Sequence, residues 1–372
     1  MFEEWTRREL LFALGAGSAG LMMGSSKIMV ASASGSVRPI TGSWFEFQHH
    51  ATVEGVDWNP ALVRFTTEQW QAKVKEIADA GLDVLVLMST AVYYRAFFDT
   101  TIYPKWKLAC ADPIEAVLSA ADKHNVKFFI GVGFYGNWQS DKTIVDPVAN
   151  RYRLQSLSEL TCRYGHHPSF HGWYWPDEAE INPYYAPEFL TYVNTLSKEA
   201  RRLMPKAPIM IAPYGTRIVK PDDQYVRQLD ALDVDIVAYQ DEVGVRKSKT
   251  SETSAFYEGL RRAHDRSQKA KLWADVEIFD CEREVYKTAL VPAPFDRVRL
   301  QLEAVSPWVD KILVYQYLGM MNQPGTTAFA GSPASAKLYT DYHSWLKSQS
   351  RREAKKSGSC EITRAQCATD AT

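Results

Sequence analysis

Two glutamates close two apolar, aromatic-rich segments of the chain. One segment reads His171-Gly172-Trp173-Tyr174-Trp175-Pro176-Asp177-Glu178, and the other Leu272-Trp273-Ala274-Asp275-Val276-Glu277. A pair of facing carboxyls is the minimum equipment for cleaving a glycosidic bond: one protonates the leaving oxygen and the other attacks the anomeric carbon. At a separation of roughly 5–5.5 Å the attack is direct and configuration is retained, whereas roughly 6.5–9.5 Å admits a water and inverts it. An acid that is protonated near neutral pH needs an apolar wall or a neighbouring carboxylate, and Trp173 and Trp175 are placed to supply the wall. This pattern assigns Glu178 as acid/base and Glu277 as nucleophile. Two alternatives for the second carboxylate, Asp241 and Glu242, follow Val237-Ala238-Tyr239-Gln240, and Asp177 and Glu180 flank Glu178.

A saccharide site also needs flat rings against the sugar faces and polar groups for the hydroxyls. The chain is rich in rings, with 11 Trp, 19 Tyr and 16 Phe. Those expected to line a cleft, with their polar neighbours, are Trp44, Glu46, Tyr135, Trp138, Trp175, Asp177, Tyr214, Tyr239, Gln240, Glu242 and Tyr317. Phe134 and Tyr315 lie among them. His49-His50 carries no metal on this reading, because adjacent residues of a strand point to opposite faces. His166, His167 and His171 precede the fourth strand and read as a packed loop. No GxSxG elbow, phosphate-cradling P-loop or HExxH occurs, no GxGxxG turn follows a first strand, and no cofactor is expected.

These residues are positioned by eight short apolar runs alternating with amphipathic stretches between Pro39 and Ser348. The runs are Thr41–Phe47, Asp83–Met88, Lys127–Gly133, Gly172–Trp175, Ile209–Ala212, Asp235–Tyr239, Leu272–Glu277 and Ile312–Tyr317, each with the look of a strand buried on both faces. Helix signals stand between them. Thr66 and Thr67 precede Trp70, Val74, Ile77 and Ala78, a pattern that Gly81 ends; Asp112-Pro113 opens a second helix, Pro187 a third ending near Met204, and Asp296 a fourth ending near Ser306. Eight strand–helix units predict an α/β fold, a single (β/α)8 TIM barrel over residues 37–348 with extended loops. In that architecture chemistry sits at the C-terminal ends of the strands, where Glu178 and Glu277 fall on strands four and seven.

Composition excludes other classes. The 43 Lys+Arg balance 44 Asp+Glu to a net charge of -1, and 46% of residues are hydrophobic, so neither a disordered chain nor a nucleic-acid-coating one is expected. Residues 1–36 read as a twin-arginine signal peptide: Thr6-Arg7-Arg8-Glu9-Leu10-Leu11, an apolar run to Met23, and Ala31-Ser32-Ala33 for cleavage. A periplasmic or secreted protein without a membrane span follows. Residues 349–372 read as a polar tail. The five cysteines are too scattered for a disulfide scaffold or a zinc site, although Cys360 and Cys367 could close a small loop.

Trp173-Tyr174-Trp175-Pro176-Asp177-Glu178, with Glu277 on strand seven, resembles the clan A glycoside hydrolases. The span from Gly42 to Trp345 resembles more closely an uncharacterised family of bacterial, exported, glycosidase-like TIM barrels. The clan resemblance implies retention, with acid/base and nucleophile on Glu178 and Glu277, and places Tyr239 beside the nucleophile. Two departures stand out: Asp177 occupies the position usually held by Asn, and Met88-Ser89-Thr90 lacks the usual arginine of strand two. A retaining glycoside hydrolase acting on an oligo- or polysaccharide, an exopolysaccharide among the candidates, is the expectation. The alternatives are a non-catalytic saccharide-binding barrel and a polysaccharide lyase-type enzyme on the same fold.

Overall fold

The computed structural model describes residues 37–349; the signal-peptide reading of residues 1–36, the tail and the Cys360–Cys367 loop lie outside the described residues. Eight parallel strands close into a barrel: β1 (Gly42–Phe45), β2 (Val84–Leu87), β3 (Lys127–Gly131), β4 (Phe170–Trp175), β5 (Ile209–Ile211), β6 (Ile236–Gln240), β7 (Lys271–Glu277) and β8 (Lys311–Tyr315). Each pairs with its sequence neighbours, and β8 returns to β1 with Leu313 opposite Gly42. All eight strands stand where the apolar runs predict them, with ends shifted by one or two residues.

The helices form an outer ring, and their ends follow local chemistry. In α1 (Thr67–Asp79) the Thr66 hydroxyl accepts from the Gln69 N–H while the Gln69 side chain accepts from the Thr66 N–H, a reciprocal cap. Asp112 caps α2 (Pro113–His124) and Asp146 caps α3 (Pro147–Tyr164), each followed by a proline whose missing N–H costs nothing there. Then come α4 (Pro187–Leu203), α5 (Asp223–Ala231), α6 (Thr250–Ser267) and α7 (Phe295–Val305), and a last helix spans 334–349. Among the described residues no helix is long and apolar enough to cross a membrane.

Alternation along each strand splits the side chains between barrel interior and helix layer. Phe129, His171 and Trp273 pack edge to face near the N-terminal ends of the strands. Gly131 is required by contact: a Cβ there would lie 2.3 Å from the Met88 carbonyl oxygen. Two hairpins extend the loops above β2 and β7, Ala91–Val92 with Arg95–Ala96 and Phe279–Cys281 with Leu290–Pro292.

Candidate active site

Above the C-terminal ends of the strands lie two adjoining chambers that share His50, Glu54, Met88 and Glu178. The more enclosed, of about 390 Å³, is further lined by Gln240, Val245, Asp275, Glu277, Phe279, Leu290 and Tyr315. The outer, of about 570 Å³, is walled by Phe134, Trp138, Pro176, Tyr214 and Tyr286.

Glu277 ends β7 on its inward face, buried. Its Oε2 accepts the Val245 N–H at 2.8 Å, its own N–H donates to Asp241 Oδ1 at 3.1 Å, and its carbonyl oxygen accepts from Gln301 and Arg297. Glu178 follows β4, half-buried. The Tyr174 hydroxyl approaches Glu178 Oε1 at 3.5 Å, and burial pushes the Tyr174 phenol well up, so that it stays protonated as a donor. Glu178 and Glu277 thus open into one chamber.

A third carboxylate, Glu54, lines both chambers. His49 lies behind it with Nε2 3.1 Å from Glu54 Oε2 and Nδ1 3.0 Å from both oxygens of Glu46. Glu46 is held in turn by Trp58 Nε1 at 2.8 Å and Gln316 Nε2 at 2.6 Å. Burial alone would lower the pKa of His49; the Glu46 carboxylate, with Glu54, outweighs it and holds the imidazole up at about 9. An imidazolium with both nitrogens donating satisfies this geometry.

The opposite-face reading of His49-His50 is corrected here. β1 ends at Phe45, so strand alternation no longer governs the pair, and the two rings lie 4.6 Å apart. Donor atoms of Glu46, His49 and His50 fall within 4.8 Å of one another, as do those of Glu115, His166 and His167. In both clusters the first claim on the imidazole is a carboxylate: His167 lies between Asp122 at 2.6 Å and Glu115 at 3.0 Å.

Of the residues expected in the cleft, Phe134, Trp138, Tyr214, Gln240 and Tyr315 line it together with Glu178 and Glu277. The others are corrected in position. Trp44 lies inside the barrel, its ring 5.6 Å from that of Tyr174, and Glu46 sits behind His49. Tyr135 packs on Tyr103 and Tyr152. Trp175 points to the helix layer, bonding Ser197, and Asp177 is buried in an ion pair with Arg153 at 2.9 Å. Tyr239 also faces the helices, where its hydroxyl lies 2.6 Å from that of Tyr225 and 2.9 Å from His264 Nε2. Tyr317 reaches away to Glu76 at 2.9 Å. The alternatives for the second carboxylate lie outside the chambers: Asp241 is buried behind β7, bonded to Gln301, and Glu242 is buried in the loop after β6. Glu54, Asp275 and Tyr286 line the cleft without having been expected there. Asp275 was within reach of the pattern, two residues before Glu277 and therefore on its face.

A family model described as a domain of unknown function, DUF4434, matches residues 40–328. No curated protein matches the chain. Among solved structures, one from Bacteroides thetaiotaomicron described as a putative alpha-L-fucosidase superposes with a TM-score of 0.66 at 19% identity, covering 89% of this chain and 99% of that one. The endo-beta-1,4-mannanase of Thermotoga petrophila gives 0.54 at 10% identity, over 83% of this chain and 77% of its own. A GH2 beta-galacturonidase from Eisenbergiella tayi gives 0.52 at 13%, over 82% of this chain and 51% of its own. At these identities the likeness is one of fold, a closed eight-stranded α/β barrel.

Proposed function

The chain belongs to the DUF4434 family, and from the geometry of its cleft we propose that it is a retaining glycoside hydrolase acting on an oligo- or polysaccharide. The observation that carries this reading is the convergence of Glu178, from β4, and Glu277, from β7, on one chamber with aromatic outer walls. In this mechanism Glu277 attacks the anomeric carbon while Glu178 gives its proton to the departing glycosidic oxygen; Glu178 then takes a proton from the water that releases the sugar. The Val245 N–H holds one oxygen of Glu277 in place, and Tyr174 holds Glu178 from below. Phe134, Trp138, Tyr214 and Tyr286 offer faces for the sugar rings, while Gln240 and Glu54 take hydroxyls. The twin-arginine pattern of residues 1–36 adds an extracytoplasmic setting, where an exopolysaccharide is a fitting substrate.

The test is hydrolysis of a polysaccharide panel, read as new reducing ends, with proton NMR of the first anomer released. Glu277→Gln is expected to abolish turnover, and Glu178→Gln to lower it by about 10²–10⁴-fold. Retained turnover in Glu277→Gln, or an inverted first anomer, would sink the assignment. Saccharide binding without turnover in the unaltered protein would favour the binding-barrel alternative.

A further inference from the structure

The hairpin above β2 pairs Ala91 with Ala96 and Val92 with Arg95, leaving Tyr93 and Tyr94 as its two-residue loop. Their φ angles are +54° and +56°. Two left-handed central residues make the type I′ turn that suits the hairpin twist, and its positions favour Asn-Gly because a Cβ is crowded there. Tyrosine at both positions runs against that preference. Burial does not account for it: Tyr93 is 38% and Tyr94 56% exposed, while Ala91, Val92 and Ala96 beneath them are fully buried.

Location offers a reason. The Tyr93 ring stands 6.5 Å from Trp138 at an interplanar angle of 85°, and its hydroxyl donates to the His50 carbonyl oxygen; Trp138 and His50 both line the outer chamber. Tyr94 rests against Tyr103 at 5.6 Å. A strip of rings therefore continues from the cleft wall onto the surface. An unfavourable backbone conformation kept at such a point is a signal of use rather than of folding.

We propose that Tyr93 and Tyr94 form a rim subsite that binds a sugar ring of an extended saccharide outside the catalytic chambers, so that the preferred substrate is a polymer rather than a disaccharide. This rests on the saccharide reading of the cleft. The pyranose would lay its apolar face on the exposed ring of Tyr94. The strip from Trp138 outward sets the path of the chain.

The test uses the full protein carrying Glu277→Gln, titrated by calorimetry with size-sorted fragments of neutral and acidic polysaccharides from disaccharide upward. Tyr94→Gly, and the double variant Tyr93→Asn with Tyr94→Gly, are compared with that parent. Long fragments are expected to bind at least tenfold more weakly to both variants, disaccharides equally well, and Tyr94→Gly to melt no lower than the parent. Equal losses at all lengths, no loss at any length, or a lowered Tm for Tyr94→Gly would overturn the subsite alone. A parent that binds no saccharide would overturn the cleft reading, and the subsite with it.

Discussion

His49 joins Glu46 to Glu54 through its two ring nitrogens, at 3.0 and 3.1 Å, so that a buried cation stands directly behind a carboxylate of the cleft. Its pKa, held at about 9, lies above the unfolded 6.5. The stabilisation from this charge is therefore fully present below about pH 6.5 and disappears as pH rises through 9; the shift is worth about 3 kcal/mol. His49→Gln should remove that slope from urea unfolding measured between pH 6.5 and 9.5. In the unaltered protein, sugar affinity should fall on the alkaline side as Glu54 loses its partner. A flat stability profile across that range would show that His49 is neutral in the fold.

Asp241 behaves in the opposite sense. Burial raises it to about 6, although its hydrogen bonds from Gln301, Glu277 and Val243 favour the ionised form. A carboxyl whose folded pKa lies above the unfolded 3.8 makes no contribution at lower pH; it destabilises progressively between about 4 and 6, and by about 3 kcal/mol above that. Asp241→Asn keeps an acceptor for the Glu277 N–H and removes the buried charge. The variant should therefore be more stable than the parent at pH 7.5 and equal to it at pH 4, by denaturant unfolding. Equal stability at both values would mean that Asp241 is not strained by its burial.

Asp177 precedes the proposed acid/base but turns its carboxylate away from the cleft, to Arg153 at 2.9 Å and the Tyr192 hydroxyl at 3.2 Å. Both members of the ion pair are fully buried. Removing one partner leaves an uncompensated charge, so Asp177→Ala should cost about 3–5 kcal/mol. Saccharide affinity of the folded protein should change little. A large affinity loss at unchanged stability would return Asp177 to the binding surface.

Position along a strand was legible in the sequence; facing was not always. The apolar runs locate all eight strands, and the placement of Glu178 and Glu277 on strands four and seven follows from that count. Counting residues near strand ends, however, admits both faces. Trp175 and Tyr239 each lie one residue from an inward neighbour, Tyr174 or Gln240, and so face the helices. Tyr317 falls beyond the end of β8, where alternation no longer applies. Glu54 had no periodic signal at all, since it sits in a turn that is brought to the cleft when its carbonyl oxygen accepts the Leu290 N–H from the β7 hairpin. The reciprocal contacts that make His49 a cation are likewise tertiary.

Tyr239 puts the clan resemblance against the geometry most sharply. The resemblance places a tyrosine here beside the nucleophile, whereas this phenol lies in a fully buried chain with Tyr225 and His264. His264 Nδ1 donates to the Ala270 carbonyl oxygen at 2.9 Å, so Nε2 accepts from Tyr239; burial lowers this imidazole to about 4, which keeps it neutral for that role. The Tyr225 hydroxyl then donates to Tyr239, and every proton in the chain has a place. Tyr239→Phe deletes the middle link and leaves two buried polar groups short of a partner, a cost of about 1–3 kcal/mol. Glu277 loses no contact, so kcat and KM should stay within about twofold of the parent while the unfolding midpoint falls. A drop in kcat of a hundredfold at unchanged stability would instead put Tyr239 at the reacting carbon.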